Sequence, residues 1–263
     1  MSNTPSPLLE ARGLVVGYHR DRPLIAEADF SVRGGEVVAL LGGNGVGKST
    51  LLKTLSGELK PLAGSVTLSG IELQSLSGGR RARLLSIVAT DATMAGALTV
   101  KQLVALGRHP YTGWTGILSA TDRRVVEESM QAAGIAGKAM SAVATLSDGE
   151  RQKAMIARAL AQDTEVMLLD EPLSFLDPAA RIEIFSLLRR LSAERGKLVV
   201  LSCHDVAMSL RMASTLWLLT TDRRLVCATP REAVEAGLID KLFDSPNVKF
   251  SPEIGDFISN SHG

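Results

Sequence analysis

The sequence predicts an α/β fold built on a mostly parallel sheet and interrupted by a helical insertion. Three observations predict it. Short apolar runs alternate with helical stretches in both flanks of the chain. Between about Arg80 and Gln162 the character turns mostly helical, through "TVKQLVALG", "TDRRVVEESMQAAG" and "SDGERQKAMIARALAQ". A glycine-rich loop joins one apolar run to a helix, the usual seam of such a sheet.

Taken in order, the chain opens with strands and turns, "ARGLVVGYH" and then "ADFSVRGGEVVALLG". The second contains a hairpin-like Gly34-Gly35 and closes on "EVVALL", an apolar run of the kind buried on both faces of a parallel sheet. A helix is expected from Lys48 through Leu55, stopped near Gly57, followed by the alternating strand "GSVTLSG". Beyond the insertion come the strand "EVMLLD", the helix "PAARIEIFSLLRRLSAERG", the strand "KLVVLSC" and the helix "VAMSLRMA". Strands "TLWLLT" and "RLVCA" then lead to a terminal helix around "PREAVEAGLIDKLF". There is no internal repeat.

A chain of 263 residues, 45% apolar and 22% charged, can bury a substantial core as one large domain or two small ones. The formal net charge of +1 argues for neither nucleic acid nor an anionic membrane as partner. Cys203 and Cys227 sit in apolar runs and read as packed strand residues, in keeping with a reducing compartment. The opening "MSNTPSPLLEARG" lacks the basic start and apolar run of a signal peptide, and no stretch approaches the roughly 18 apolar residues of a membrane span. A soluble chain is expected.

The strongest motif is "GGNGVGKST": Gly42, Gly43, Asn44, Gly45, Val46, Gly47, Lys48, Ser49 and Thr50. It satisfies G-x-x-x-x-G-K-[ST] and lies between an apolar strand and a helix, the context that the motif requires. Its glycines let consecutive N–H groups face one point, the helix start adds positive dipole, and Lys48 can reach the β- and γ-phosphates. The Ser49 hydroxyl suits Mg²⁺, which needs few protein ligands.

A second constellation is "VMLLDEP", where an apolar strand delivers Asp170 to the carboxyl edge of the sheet, the place where ligands collect. Asp170 can hold Mg²⁺, and Glu171 can orient or deprotonate an attacking water. An Asp-Glu pair before proline also suits a plain turn; beside a phosphate loop the functional reading prevails. His204 ends the strand "KLVVLSCH", which is expected to neighbour the strand of Asp170, so a neutral imidazole there would face the γ-phosphate. Finally, Ser147 and Glu150 in "LSDGE" form a capping box, with Gly149 in the first turn of the helix, so amides and a hydroxyl converge on an anion site. On the capping box alone, this is merely a well-capped helix.

Phosphate loop, helical insertion, "LSDGE", "LLDEP", "SFLD" and a strand-end His, in that order, resemble the nucleotide-binding subunits of ABC transporters over nearly the whole chain. The resemblance implies a P-loop ATPase fold of the ABC type, with a mixed/parallel sheet core, an antiparallel β subdomain and an inserted helical subdomain. Residues 8–89 and 163–263 would form the core and β subdomain, and 90–162 the helical subdomain. It implies ATP and Mg²⁺ as ligands, Glu171, His204 and Lys48 as catalytic groups, and Ser49, Asp170 and Thr90 at the metal. The family places two copies head to tail, so that Ser147 and Gly149 close over the partner's nucleotide and Asp177 lines the opposing site. Tyr18 stands where an adenine-stacking aromatic belongs, although a plain edge-strand tyrosine also suits it.

Two departures stand out. The signature has Asp148 where glycine is usual, and this acid is expected to point away from phosphate. The usual metal-contacting Gln is replaced by Thr90, followed by Asp91. The segment "ALGRHPYTGW" resembles ATPase subunits of importers for iron chelates, siderophores and haem among them, and for cobalamin. The resemblance thus implies integral-membrane permease partners docking near Thr90–Trp114, a solute-binding protein acting indirectly, and a peripheral location on the cytoplasmic face of the inner membrane. Tyr111 and Trp114 read equally well as packing aromatics. ATPases of other ABC transporters, for another solute or for export, remain open, as do non-transport ABC ATPases. The DNA-repair type would carry a long heptad arm and the translation type a second cassette; neither is present. A P-loop kinase would have no use for "LSDGE".

Overall fold

The computed structural model describes residues 6–89, 97–114, 116–242 and 248–259. Strands β1 (Leu9–Val15), β2 (Phe30–Val32) and β3 (Val37–Leu41) lead into helix α1 (Lys48–Leu55), then β4 (Ala63–Leu68), β5 (Ile71–Glu72), α2 (Gly78–Leu84) and β6 (Leu85–Val88). Helices α3 (Val100–Ala105), α4 (Ala120–Ala132) and α5 (Asp148–Ala161) pack on one another. The chain then alternates β7 (Val166–Leu169), α6 (Pro178–Arg195), β8 (Leu198–Ser202), α7 (Val206–Met212) and β9 (Thr215–Leu219). It closes with β10 (Leu225–Ala228), α8 (Pro230–Glu235), β11 (Val248–Ser251) and β12 (Asp256–Ser259).

The central sheet runs β10-β9-β3-β8-β7-β6, parallel except for β10 at the edge, and a second, antiparallel sheet runs β2-β1-β4-β5. Central strands are apolar at every position because both sheet faces are covered. Val38, Leu40, Leu168, Val200 and Trp217 face the layer of α1 and the antiparallel sheet. Their neighbours Ala39, Leu41, Leu169, Leu201 and Leu218 face the helices on the other side. That period of two is the strand geometry expressed as two cores.

The structure corrects several expectations. Gly34-Gly35 makes no hairpin: β2 pairs with β1, whereas β3 joins the central sheet between β8 and β9. The turn is tied instead to the start of β8, through Gly35 N–H donating to Lys197 O at 3.1 Å. Within the supposedly helical stretch lies β6, the parallel edge strand beside β7. Four residues are too few to show a period. The terminal helix stops at Glu235 because Gly237 (φ 60°) is left-handed, with Leu238 N–H bonded to Ala233 O and Gly237 N–H to Val234 O. This glycine stop satisfies the last carbonyls and ends the helix. The β11–β12 pair beyond it is a further element that periodicity did not show. Cys203 is buried just past β8, but Cys227 is exposed on edge strand β10.

The helical cluster is pinned by a buried ion pair. Arg108 Nε lies 2.8 Å from Asp122 Oδ1, and Arg108 Nη1 donates to Ala161 O at 2.8 Å. The same guanidinium stands 3.9 Å from the centroid of the Tyr111 ring, whose hydroxyl donates to Gln162 O. Tyr111 thus packs on Arg108 while remaining partly exposed, and Trp114 is fully exposed.

Candidate nucleotide site

Seven of the eight α-helices accept an N-terminal amide with a side-chain cap; among the described residues only α1 has none. Its N-cap is Gly47, at φ 119°, and its first turn holds no acid. A Cβ on Gly47 would be conformationally strained and 3.1 Å from the Leu24 Cβ. A helix start left without an internal acceptor presents its amides and its positive dipole to an external anion. Residues Gly42 to Gly47 and the first turn of α1 thus form a loop and helix start whose local structure fits a phosphate group. The loop is held from below by Lys48, whose Nζ donates to Gly42 O at 2.8 Å and Gly43 O at 3.0 Å. Burial pushes the Lys48 ammonium below its usual pKa, against the opposing pull of Glu171 and Asp170.

The register of the sheet brings the other groups to this loop. Because β8 lies between β3 and β7, the carboxyl ends of three strands meet. Cys203 N–H donates to Leu40 O, and Asp170 N–H to Val88 O. Beyond these strand ends, Gly43, Asn44, Gly45, Glu171 and His204 line one open cleft of about 750 Å³. The sequence placed the loop more than a hundred positions before Glu171 and His204; the parallel register joins them.

Glu171 is engaged at both carboxylate oxygens. Oε1 is 2.7 Å from His204 Nε2, and Oε2 accepts the Ser174 hydroxyl at 3.0 Å. The His204 bond, with help from Ser174 and the Lys48 charge, lowers the pKa of the Glu171 carboxyl against the opposing effect of burial. His204 accordingly pairs with Glu171 while also lining the cleft of the phosphate loop. Glu171 itself has a left-handed backbone, φ 47°, uncommon for a residue with a side chain. Asp170 Oδ1 accepts the hydroxyl of Ser202 at 2.7 Å, and the same oxygen of Ser202 accepts Glu171 N–H. Sequence reading missed Ser202 and Ser174. The available signal was a hydroxyl ending the otherwise apolar run "KLVVLS" and another in the turn after Glu171-Pro172.

Ser49 and Asp170 line a single small pocket. The hydroxyl and the carboxylate that share this pocket offer the hard oxygen donors that fit a magnesium ion. Thr90, expected at the metal, lies outside the described residues, as does Asp91.

Ser147 and Gly149 do not line the cleft of Gly43, Asn44 and Gly45. Ser147 caps α5, its Oγ accepting Glu150 N–H at 3.3 Å while Glu150 Oε2 accepts Ser147 N–H at 3.0 Å. This is the capping box that the spacing predicts: it pairs the Ser147 and Glu150 amides, and the Ser147 hydroxyl serves in it as an acceptor. Asp148 is paired with Arg151 at 3.1 Å on the surface. Asp177 caps α6 by accepting Ala180 N–H at 2.8 Å, and Tyr18 is 59% exposed beyond the end of β1.

Comparison with known proteins agrees with this geometry. The family model described as ABC transporter matches residues 25–174. The chain is 38% identical to the achromobactin transport ATP-binding protein of Dickeya dadantii, over 90% of this chain and 87% of that one. It is also 38% identical to the ferric enterobactin transport ATP-binding protein of Escherichia coli, over 89% of this chain and 86% of that one. Among solved structures, cbiO1 of Clostridium perfringens, part of the ABC transporter complex cbiONQ, superposes with a TM-score of 0.79 at 26% identity, covering 95% of this chain and 98% of that one. With its uncapped glycine loop, its strand-end carboxylates and these relatives, the chain belongs to the ABC transporter ATP-binding proteins, a family of nucleotide-binding ATPases.

Proposed function

We propose that this protein hydrolyses ATP to drive a membrane importer of iron chelates, siderophore or haem, or of cobalamin, and that it works as a homodimer around two Mg-ATP. The observation that carries the reading is the pairing of Glu171 with His204 at the wall of the cleft formed by the phosphate loop. A carboxylate held there at two oxygens is positioned to take a proton from the water that attacks the γ-phosphorus, as ADP leaves. Lys48 and the amides of the loop bear the phosphates, Ser49 and Asp170 hold the magnesium, and Tyr18 offers an exposed ring to adenine.

The same geometry supports a two-copy site. Ser147 and Gly149 do not line the cleft of their own chain's loop, which favours a contribution to another chain's nucleotide. Each nucleotide brings negative charges that oppose association until donors from both copies surround them. Differential binding of the closed, nucleotide-filled pair is the source of work, and hydrolysis releases it. On this reading residues 8–89 and 163–263 bind nucleotide, while 90–162 form the helical subdomain that meets the permease.

Among the described residues no helix is long and apolar enough to cross a membrane. Attachment to the cytoplasmic face of the inner membrane would therefore run through permease subunits, with a solute-binding protein delivering the chelate. The iron-chelate reading rests on the likeness of "ALGRHPYTGW" and on the siderophore-transport relatives. Affinity purification of the tagged chain from its own membranes tests it. Recovery of a permease encoded beside a chelate-binding protein is the expected result; recovery of ribosomes or DNA instead would overturn it.

A further inference from the structure

Ser202 ends β8, is completely buried, and is the one polar side chain in that strand. A hydroxyl removed from water needs partners. Ser202 has two, and both belong to the pair of residues on which hydrolysis depends. Its oxygen accepts the Glu171 N–H at 2.7 Å, and its proton goes to Asp170 Oδ1, also at 2.7 Å. One hydroxyl carries one proton and two lone pairs, so these two bonds can be made together with fixed polarity.

The first bond holds an unfavourable backbone. Glu171 sits at φ 47°, a conformation that persists in a residue with a side chain only where its surroundings over-determine it. Two ties act on the backbone of Glu171: its N–H is held by Ser202, and its carbonyl accepts Ser174 N–H at 3.1 Å. With the backbone so turned, the carboxylate reaches His204 and the Ser174 hydroxyl. The second bond orients the neighbouring carboxylate of Asp170. Because β7 and β8 are adjacent and parallel, the strand end of one delivers a hydroxyl to the strand end of the other.

We infer that Ser202 is a positioning residue for ATP hydrolysis: its buried hydroxyl sets the register between the Asp170 carboxylate and the Glu171 backbone, and so aims the Glu171 carboxylate into the cleft. The inference rests on the roles proposed above for Asp170 and Glu171. It differs from a merely structural role, in which loss of the hydroxyl would loosen the sheet without touching turnover selectively.

The test uses Ser202→Ala and Ser202→Thr in the full-length protein, each also combined with Glu171→Gln. Ser202→Ala should lower kcat by about tenfold to a hundredfold while the KM for ATP stays within about twofold. Binding of a fluorescent ATP analogue without magnesium should be unchanged, and the magnesium concentration that strengthens that binding should rise. Ser202→Thr, which keeps the hydroxyl, should recover turnover to within about threefold of wild type. In the Glu171→Gln background, Ser202→Ala should remove less than about twofold of the residual rate, because the group it aims is already gone. Turnover of Ser202→Ala equal to wild type would overturn the inference. So would the same fold-loss in both backgrounds, or Thr behaving as Ala. A neutral Ser202→Ala beside an inactive Glu171→Gln removes only the positioning role; a fully active Glu171→Gln removes the assignment of Glu171 itself.

Discussion

His204 Nε2 and Glu171 Oε1 lie 2.7 Å apart, joining the strand end of β8 to the residue that follows the strand-end carboxylate of β7. This contact makes Glu171 and His204 one unit. It holds the Glu171 carboxyl below its usual pKa and fixes it at the wall of the cleft.

Replacing Glu171 with Gln retains the size of the side chain and a hydrogen bond to His204 but removes the proton acceptor. Turnover should fall by about a hundredfold or more, with ATP binding intact. Light scattering in Mg-ATP should show the variant accumulating as a dimer. Near-normal hydrolysis would show that the water is activated elsewhere.

Lys48→Ala removes the buried ammonium that braces the loop through Gly42 O and Gly43 O. Loss of a charged donor facing phosphate should weaken nucleotide binding by about tenfold to a hundredfold, as read by titration with a fluorescent analogue. An unchanged affinity would remove the loop from the site.

Ser147→Arg places a large cation at the start of α5, away from the chain's own cleft. Hydrolysis should be abolished while the isolated monomer binds ATP as before. If monomer affinity drops equally, the segment serves its own nucleotide and the two-copy site is wrong.

Asp122 offers a pH-dependent test in the helical cluster. The hydrogen bond from the Ser119 hydroxyl, followed by the Ser119 amide and Arg108, holds its carboxyl below the usual range. A carboxylate with a depressed folded-state pKa contributes stability above its unfolded pKa, about 3.9, and loses it as pH falls through the folded value. Asp122→Asn should therefore lower the unfolding temperature by on the order of 5 °C at neutral pH, since it leaves Arg108 buried without its counter-charge. In urea unfolding, the gap between wild type and variant should stay constant down to about pH 5 and narrow below about pH 4. A gap independent of pH throughout would mean that the charge of Asp122 contributes nothing.

Trp114 is fully exposed, so it can be changed without disturbing a core. Trp114→Ala should leave ATPase activity of the free protein within about twofold of wild type and reduce recovery of the permease on purification. Full permease recovery would place the docking face elsewhere.

The sequence by itself determined the local chemistry. The glycine spacing of residues 42–50, the apolar runs before Asp170 and His204, and the Ser147–Glu150 cap are all short-range patterns, and each became the expected loop, strand end or helix start. Local patterns are legible because φ preferences, caps and side-chain period act over a few residues. Only the tertiary structure decided what these pieces meet. Strand β6 was too short to declare itself, and β2 and β3 went to different sheets although a glycine turn joins them. Above all, the Ser202 hydroxyl gained its meaning from the adjacency of β7 and β8, which brings it to Asp170 and Glu171 some thirty positions earlier. Sheet pairing is a long-range choice settled by packing of the whole core, so no window of residues contains it.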